Sequence, residues 1–286
     1  MTESQGRRVS RTEETAEGAG PFTTRLTWRL GDGGTAVWES RPARKRGLLT
    51  VRAAGESEPR SRSADSVSKH RLRRLNTIAA CAFVIGGGLF VAGASVAQFG
   101  TGGATGAWIY FAGGLFFNTG DYASLLQAVN APRQNSGIAA LATQRWRWWS
   151  YEPGRIDWLS TFVLFVGTLV FGINLLGSLL QGLSAQQVDR LVWAPDLIGC
   201  LLFLVSGHLA LVEVCHGRPG IRPHDLGWWI VAVNQFGSVL FMASALADFT
   251  RPATGSVVNI DIANWGTLAG ALSFCAGGAL QFYERP

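Results

Sequence analysis

After Asn76 the chain continues for 210 residues with only nine Lys or Arg, although 25 occur in the whole sequence. The other 16 all lie in the first 75 residues. Soluble domains carry about 25% charged residues, and the segment from residue 77 onward falls far below that. Such a segment cannot be solvated by water as a folded domain, so the expected solvent is lipid. Six stretches are long enough to cross a bilayer, which takes about 20 apolar residues: roughly 77–98, 106–129, 158–181, 192–215, 226–247 and 263–283. Backbone in hydrocarbon must satisfy its own hydrogen bonds, so helices are expected. The stretches are too long and too uniformly apolar for barrel strands. The first run has no convincing cleavage site and is followed at once by a second, which argues against a signal peptide.

Basic residues set the expected orientation. One side would hold the tail, Arg133, Arg145, Arg147, Arg155, Arg218, Arg222 and Arg285, 23 in all, against Arg190 and Arg251 on the other. Both termini are therefore expected on the cytoplasmic side of a cell membrane. Trp108, Trp158, Trp193, Trp228, Trp229 and Trp265 stand near the starts of spans two to six, at headgroup level. The run Arg145-Trp146-Arg147-Trp148-Trp149 reads as an interfacial anchor, with anionic lipid as the sharper alternative.

A pattern recurs in the spans. Each has a Gly followed four residues later by Phe: Gly86/Phe90, Gly113/Phe117, Gly167/Phe171, Gly199/Phe203, Gly237/Phe241 and Gly270/Phe274. The residue after each Gly is small or short, and so is the one three beyond each Phe. Positions i, i+1, i+4 and i+7 share a helical stripe, and small residues there let helices approach closely in lipid. Packing outweighs a cofactor stripe as its meaning. Short connections at 99–105, 182–191 and 248–262 alternate with longer links at 130–157 and 216–225, so the expected unit is a two-helix hairpin repeated three times around an axis along the membrane normal. Gln127, Glu213 and Glu284 close the even spans at equal distance after the Gly.

Ile109–Asn130 (IYFAGGLFFNTGDYASLLQAVN), Val192–His216 and Trp228–Ala247 carry a resemblance to the YrhK-like membrane domain, a two-helix hairpin family with no established biochemical role. Only span five retains the Gly-Ser pair of that pattern, at Gly237-Ser238. The resemblance implies a fold and supplies no catalytic residues.

Ionisable groups inside spans are functional hypotheses by default. Asp121 and His208 both lie on the cytoplasmic side of their span centres and are candidates for a polar pair. Glu213-Val-Cys-His216 puts a carboxylate and an imidazole on one helix face, though a metal site would need further ligands. Asn118, Asn174, Asn234 and Gln235 suit interhelical hydrogen bonds. Cys81, Cys200, Cys215 and Cys275 all lie in spans without a C-x-x-C pair, so neither disulfides nor zinc are expected. No phosphate-binding loop or nucleophile elbow occurs, and no cofactor or catalytic constellation is expected.

The first 75 residues read as a largely disordered basic tail. A hairpin signal runs over 24–40, where Arg25–Leu30 and Thr35–Glu39 flank Gly31-Asp-Gly-Gly34. The clusters 41–46 and 69–74 read as attraction to anionic lipid at the cytoplasmic face rather than as nucleic-acid binding. The expected whole is thus an all-α, six-span protein in three hairpins behind this tail. Its expected role is membrane-embedded binding, sensing or scaffolding, with the bilayer and a second copy or another membrane protein as partners. The alternative is an ion-coupled or small-molecule transporter with a polar site near Asp121 and His208.

Overall fold

The computed structural model describes residues 14–100, 103–134, 141–142, 145–218 and 220–284; Arg285, counted above, lies outside them. Described residues of the tail form an ordered sheet, which corrects the expectation of disorder. β1 (Glu14–Ala19), β2 (Phe22–Arg29), β3 (Thr35–Glu39), β4 (Leu48–Arg52) and β5 (Arg60–Ser63) make an antiparallel meander in sequence order. The hairpin read at 24–40 is its β2–β3 pair, with Arg25 opposite Glu39. Alternation explains it: Thr24, Leu26 and Trp28 of β2 point inward, as period-two side chains must. Leu26, Trp28, Ala36, Leu49 and Val51 form its small core. The outer strands escaped the sequence reading because ETAEGA and RSRS carry no apolar alternation; backbone pairing to a neighbour recruits them.

Between β3 and β4 the chain makes α1 (Ser40–Arg46), stopped by Gly47 in the left-handed region at φ 61°. The Gly47 N–H donates to the Ala43 carbonyl, the usual way a terminal glycine satisfies a helix end.

The rest is helical: α2 (Ser66–Phe99), α3 (Gly103–Val129), α4 (Ile156–Gly177), α5 (Ala185–Val188), α6 (Ala194–Val214), α7 (Leu226–Ala247) and α8 (Ile260–Gln281). A minimal ladder, β6 (Arg133–Gln134) with β7 (Leu141–Ala142), sits in the α3–α4 link. α2 begins at Ser66, eleven residues before the expected span, because Asp65 caps it by accepting from the Ser68 N–H. The basic cluster 69–74 is therefore helical. A single π-helical turn, Asp189–Trp193, joins α5 to α6.

The six long helices close a ring in which α2 contacts both α3 and α8, and each later helix contacts the next. By length and composition, four helical segments are apolar enough to cross a membrane: α2, α4, Ala185–Val214 and α7. The bundle exterior is apolar, with Leu115, Ile173, Leu201, Phe236, Val239 and Leu272 all exposed. An outward face of this kind suits lipid rather than water.

Three helix pairs, α2–α3, α4–α6 and α7–α8, cross at facing glycines. A Cβ on Gly86 would lie 3.1 Å from the Gly113 carbonyl oxygen, one on Gly199 3.2 Å from that of Gly167, and one on Gly237 3.0 Å from that of Gly270. At this separation a side chain would push the backbones apart. The six phenylalanines then meet at the centre: Phe90 contacts Phe117, Phe171 and Phe241, while Phe274 contacts Phe117, Phe203 and Phe241.

Candidate functional site: a capped polar axis

Three cavities lie along the ring axis. The first opens beneath the sheet. α1 enters that end of the bundle and places three cations on the closing residues of α3, α6 and α8. Arg41 donates from Nε and Nη2 to the two Glu284 oxygens, 2.8 Å each. Arg44 Nη2 donates to Glu213 Oε2 at 3.0 Å, and Ser40 Oγ to Glu213 Oε1 at 2.9 Å. Lys45 Nζ donates to Gln127 Oε1 at 2.8 Å and Asn76 Oδ1 at 3.3 Å. Spacing on α1 makes this possible, since residues three and four apart share one face.

The sequence reading assigned this cluster to the lipid surface. Instead Arg41, Arg44 and Lys45 are all buried, as are Glu213, Glu284 and Gln127. Room for Arg41 comes from Gly227, where a Cβ would stand 2.8 Å from its Nε. Burial alone would pull the Arg41 guanidinium down, yet Glu284 and Glu213 hold it above its ordinary pKa. Burial likewise opposes the Glu284 carboxylate, but Arg41 and Lys45 keep it below the usual range. Lys45 donates to amide oxygens, and desolvation with the adjacent Arg44 holds it well below an ordinary lysine although Glu284 and Glu213 oppose this. The signal for this lid was present in Gln127, Glu213 and Glu284: a carboxylate at a membrane-helix end needs a cation, and the tail held the supply.

Below α1 a cavity of about 100 Å³ is lined by Ser124, Ser160, Ser206, Asn234 and Ser238 among others. The Asn234 Oδ1 has no hydrogen-bond partner among the described residues. Next comes the phenylalanine cluster, around a space of about 20 Å³, which Asp121 and Thr168 share. Asp121 is 1% exposed, and neither of its carboxylate oxygens finds a partner among the described residues. On the far side a polar cavity of about 220 Å³ is lined by Asn174, Asp196, Asp248, Asn264 and Thr267. Burial raises the Asp248 carboxyl to about 6.

His208 does not join Asp121. It is exposed on the outer face of α6, because it sits one residue beyond the repeat equivalent of Asp121, and one residue rotates a helix by about 100°. Glu213 and His216 also separate. His216 leaves the helix at φ 52° and turns to the sheet, with Nδ1 3.0 Å from Thr24 Oγ1 and Nε2 3.5 Å from Glu39. Among the described residues no three His, Cys, Asp or Glu side chains converge as a metal site would require. Asn118 Nδ2 reaches the Gly114 carbonyl, and Ser178 Oγ donates to Asn174 Oδ1, while Gln235 Nε2 donates weakly to the Leu204 carbonyl at 3.4 Å.

Fold and site together define a helical membrane-type bundle whose polar axis is capped by a small antiparallel sheet domain. No protein-family model, curated protein or solved structure matches the chain.

Proposed function

We propose that this chain is a six-span cell-membrane protein that passes a small cation or proton along its bundle axis, with α1 as the gate at the cytoplasmic end. The basic-residue asymmetry supports both termini on that side. The facing glycines and central phenylalanines support three hairpins of YrhK-like kind as the repeating unit. α3 and α8, less apolar than the other four, complete the ring and span with them in this reading. The observation that carries the function is Asp121, a carboxylate buried on the axis beside Thr168 with no hydrogen-bond partner in range among the described residues, between two cavities with polar linings. An unpaired carboxylate in hydrocarbon costs several kcal/mol, and a passing cation or proton would neutralise it. Phenylalanine faces tolerate cations, and an apolar constriction can gate by excluding water. Seated α1 plugs the cytoplasmic end of the pathway through its ion pairs to Glu284 and Glu213, which opposes cation entry while it stays in place.

The test is ion flux in proteoliposomes under proton and potassium gradients. Wild type is expected to leak little, Arg41→Gln/Arg44→Gln to conduct several-fold more, and addition of Asp121→Asn to remove that gain. Absence of flux from all three, with each shown to be folded, would overturn transport and favour a binding or scaffold role. The tight phenylalanine seam is the feature that agrees with that second reading.

A further inference from the structure

We infer that a single anionic phospholipid binds in the groove between the start of α2, the facing side of α3 and the Trp146–Trp148 strap. This site is separate from the axis and does not depend on the pathway reading. Its cavity of about 520 Å³ is lined along α2 by Arg71, Arg74, Leu75 and Ile78. These four fall at i, i+3, i+4 and i+7, one helical stripe. The stripe changes from two guanidinium groups to apolar side chains within about 10 Å of helix rise, which matches a lipid passing from phosphate to acyl chain. Ala123 and Leu126 of α3 continue the apolar floor.

The strap is held in place before any ligand arrives. Asn130 accepts from the Arg147 N–H and donates to its carbonyl, each at 2.8 Å, and the Tyr122 hydroxyl donates to the Trp148 carbonyl at 3.2 Å. Trp146 lies under Arg71, with the guanidinium carbon 5.9 Å from the ring centroid, so the cation is already oriented. Among the described residues neither Arg71 nor Arg74 has a carboxylate partner, unlike Arg41, Arg44, Arg133 and Arg155. Two unneutralised guanidinium groups above an apolar groove, beside an aromatic rim, recognise a phosphate that carries a chain.

The test follows thermal unfolding of the full chain in detergent, titrated separately with phosphatidylglycerol, phosphatidylcholine and inorganic phosphate. At about 1 kcal/mol per surface cation, phosphatidylglycerol should act at roughly 30-fold lower concentration than phosphatidylcholine. Arg71→Gln/Arg74→Gln should lose that preference while still unfolding cooperatively without lipid. Bilayers with brominated phosphatidylglycerol serve as a second readout if that variant fails to fold. Wild-type tryptophan fluorescence should then be quenched more than by brominated phosphatidylcholine, with the excess lost in Trp146→Phe. Equal response to both lipids, a preference retained by the double variant, or inorganic phosphate matching the lipid would each overturn the proposal, the last in favour of a soluble-anion site.

Discussion

Arg41 and Glu284 meet in a two-point ion pair at 2.8 Å per contact, 243 positions apart in the chain. The pair joins a helix of the N-terminal sheet domain to the final turn of the bundle and, with Arg44–Glu213, ties the two parts of the molecule by buried ion pairs. Breaking such a pair from one side leaves an uncompensated charge. Arg41→Ala should therefore destabilise the protein by about 3–5 kcal/mol, while Arg41→Ala/Glu284→Ala should recover part of that loss. A double-mutant cycle read by unfolding in detergent measures the coupling, and additive losses would show that the pair is not energetically joined.

Acid and neutral pH should act in opposite senses on two carboxylates. Glu284 has a folded pKa below its ordinary 4.5, so its contribution is present above that value and lost as pH falls through the folded pKa. Asp248 is raised from 3.8 to about 6. Its contribution is fullest below the ordinary value and is lost as pH rises through about 6, an effect on the order of 2–3 kcal/mol. Asp248→Asn should flatten the stability profile between about pH 4 and 6, and Glu284→Gln should flatten it only below about 4.5. Unfolding midpoints across that range separate the two, and an unchanged slope in Asp248→Asn would refute the assignment.

The glycine crossings predict a contrast between positions that look alike in sequence. A Cβ at Gly237 would meet the Gly270 carbonyl and Ser273 at 3.0 Å, whereas one at Gly88 would meet nothing within 4 Å. Gly237→Ala should cost about 1–3 kcal/mol through forced separation of α7 and α8. Gly88→Ala should be neutral or stabilise by up to about 1 kcal/mol through helix propensity. Thermal melts of the two variants side by side decide the point.

The sheet holds α1 in place, so its core should control the lid. Trp28 is fully buried at the centre of that core. Trp28→Ala should cost about 3–5 kcal/mol, enough to unfold a small sheet while leaving the bundle helical. Limited trypsin digestion should then cut at Arg44 and Lys45, which the intact protein buries, with little loss of helical circular dichroism. Protection retained in the variant would mean that α1 stays seated by its ion pairs alone.

The Gly/Phe spacing was legible because it is local: four residues on one helix fix which atoms share a face. Asp121 was legible as an anomaly for the same reason, as a charge within an apolar run. The Asp121–His208 pairing failed because span alignment leaves helix rotation open, and a step of one residue separates the axis from the lipid face. The sheet was half visible, since β2 and β3 alternate in their own sequences while β1 and β5 depend on neighbours for their form.

The amino-acid sequence alone determined that this chain makes long apolar helices, because hydrocarbon forces each segment to satisfy its backbone internally. It also set glycines where helices approach closely, because a missing side chain needs no partner to be read. Tertiary structure alone decided that Arg41, Arg44 and Lys45 leave the lipid surface and fill the ring of Glu284, Glu213 and Gln127. Cations and carboxylates attract by distance in space, and partners 82 to 243 residues apart leave no periodicity by which sequence could pair them.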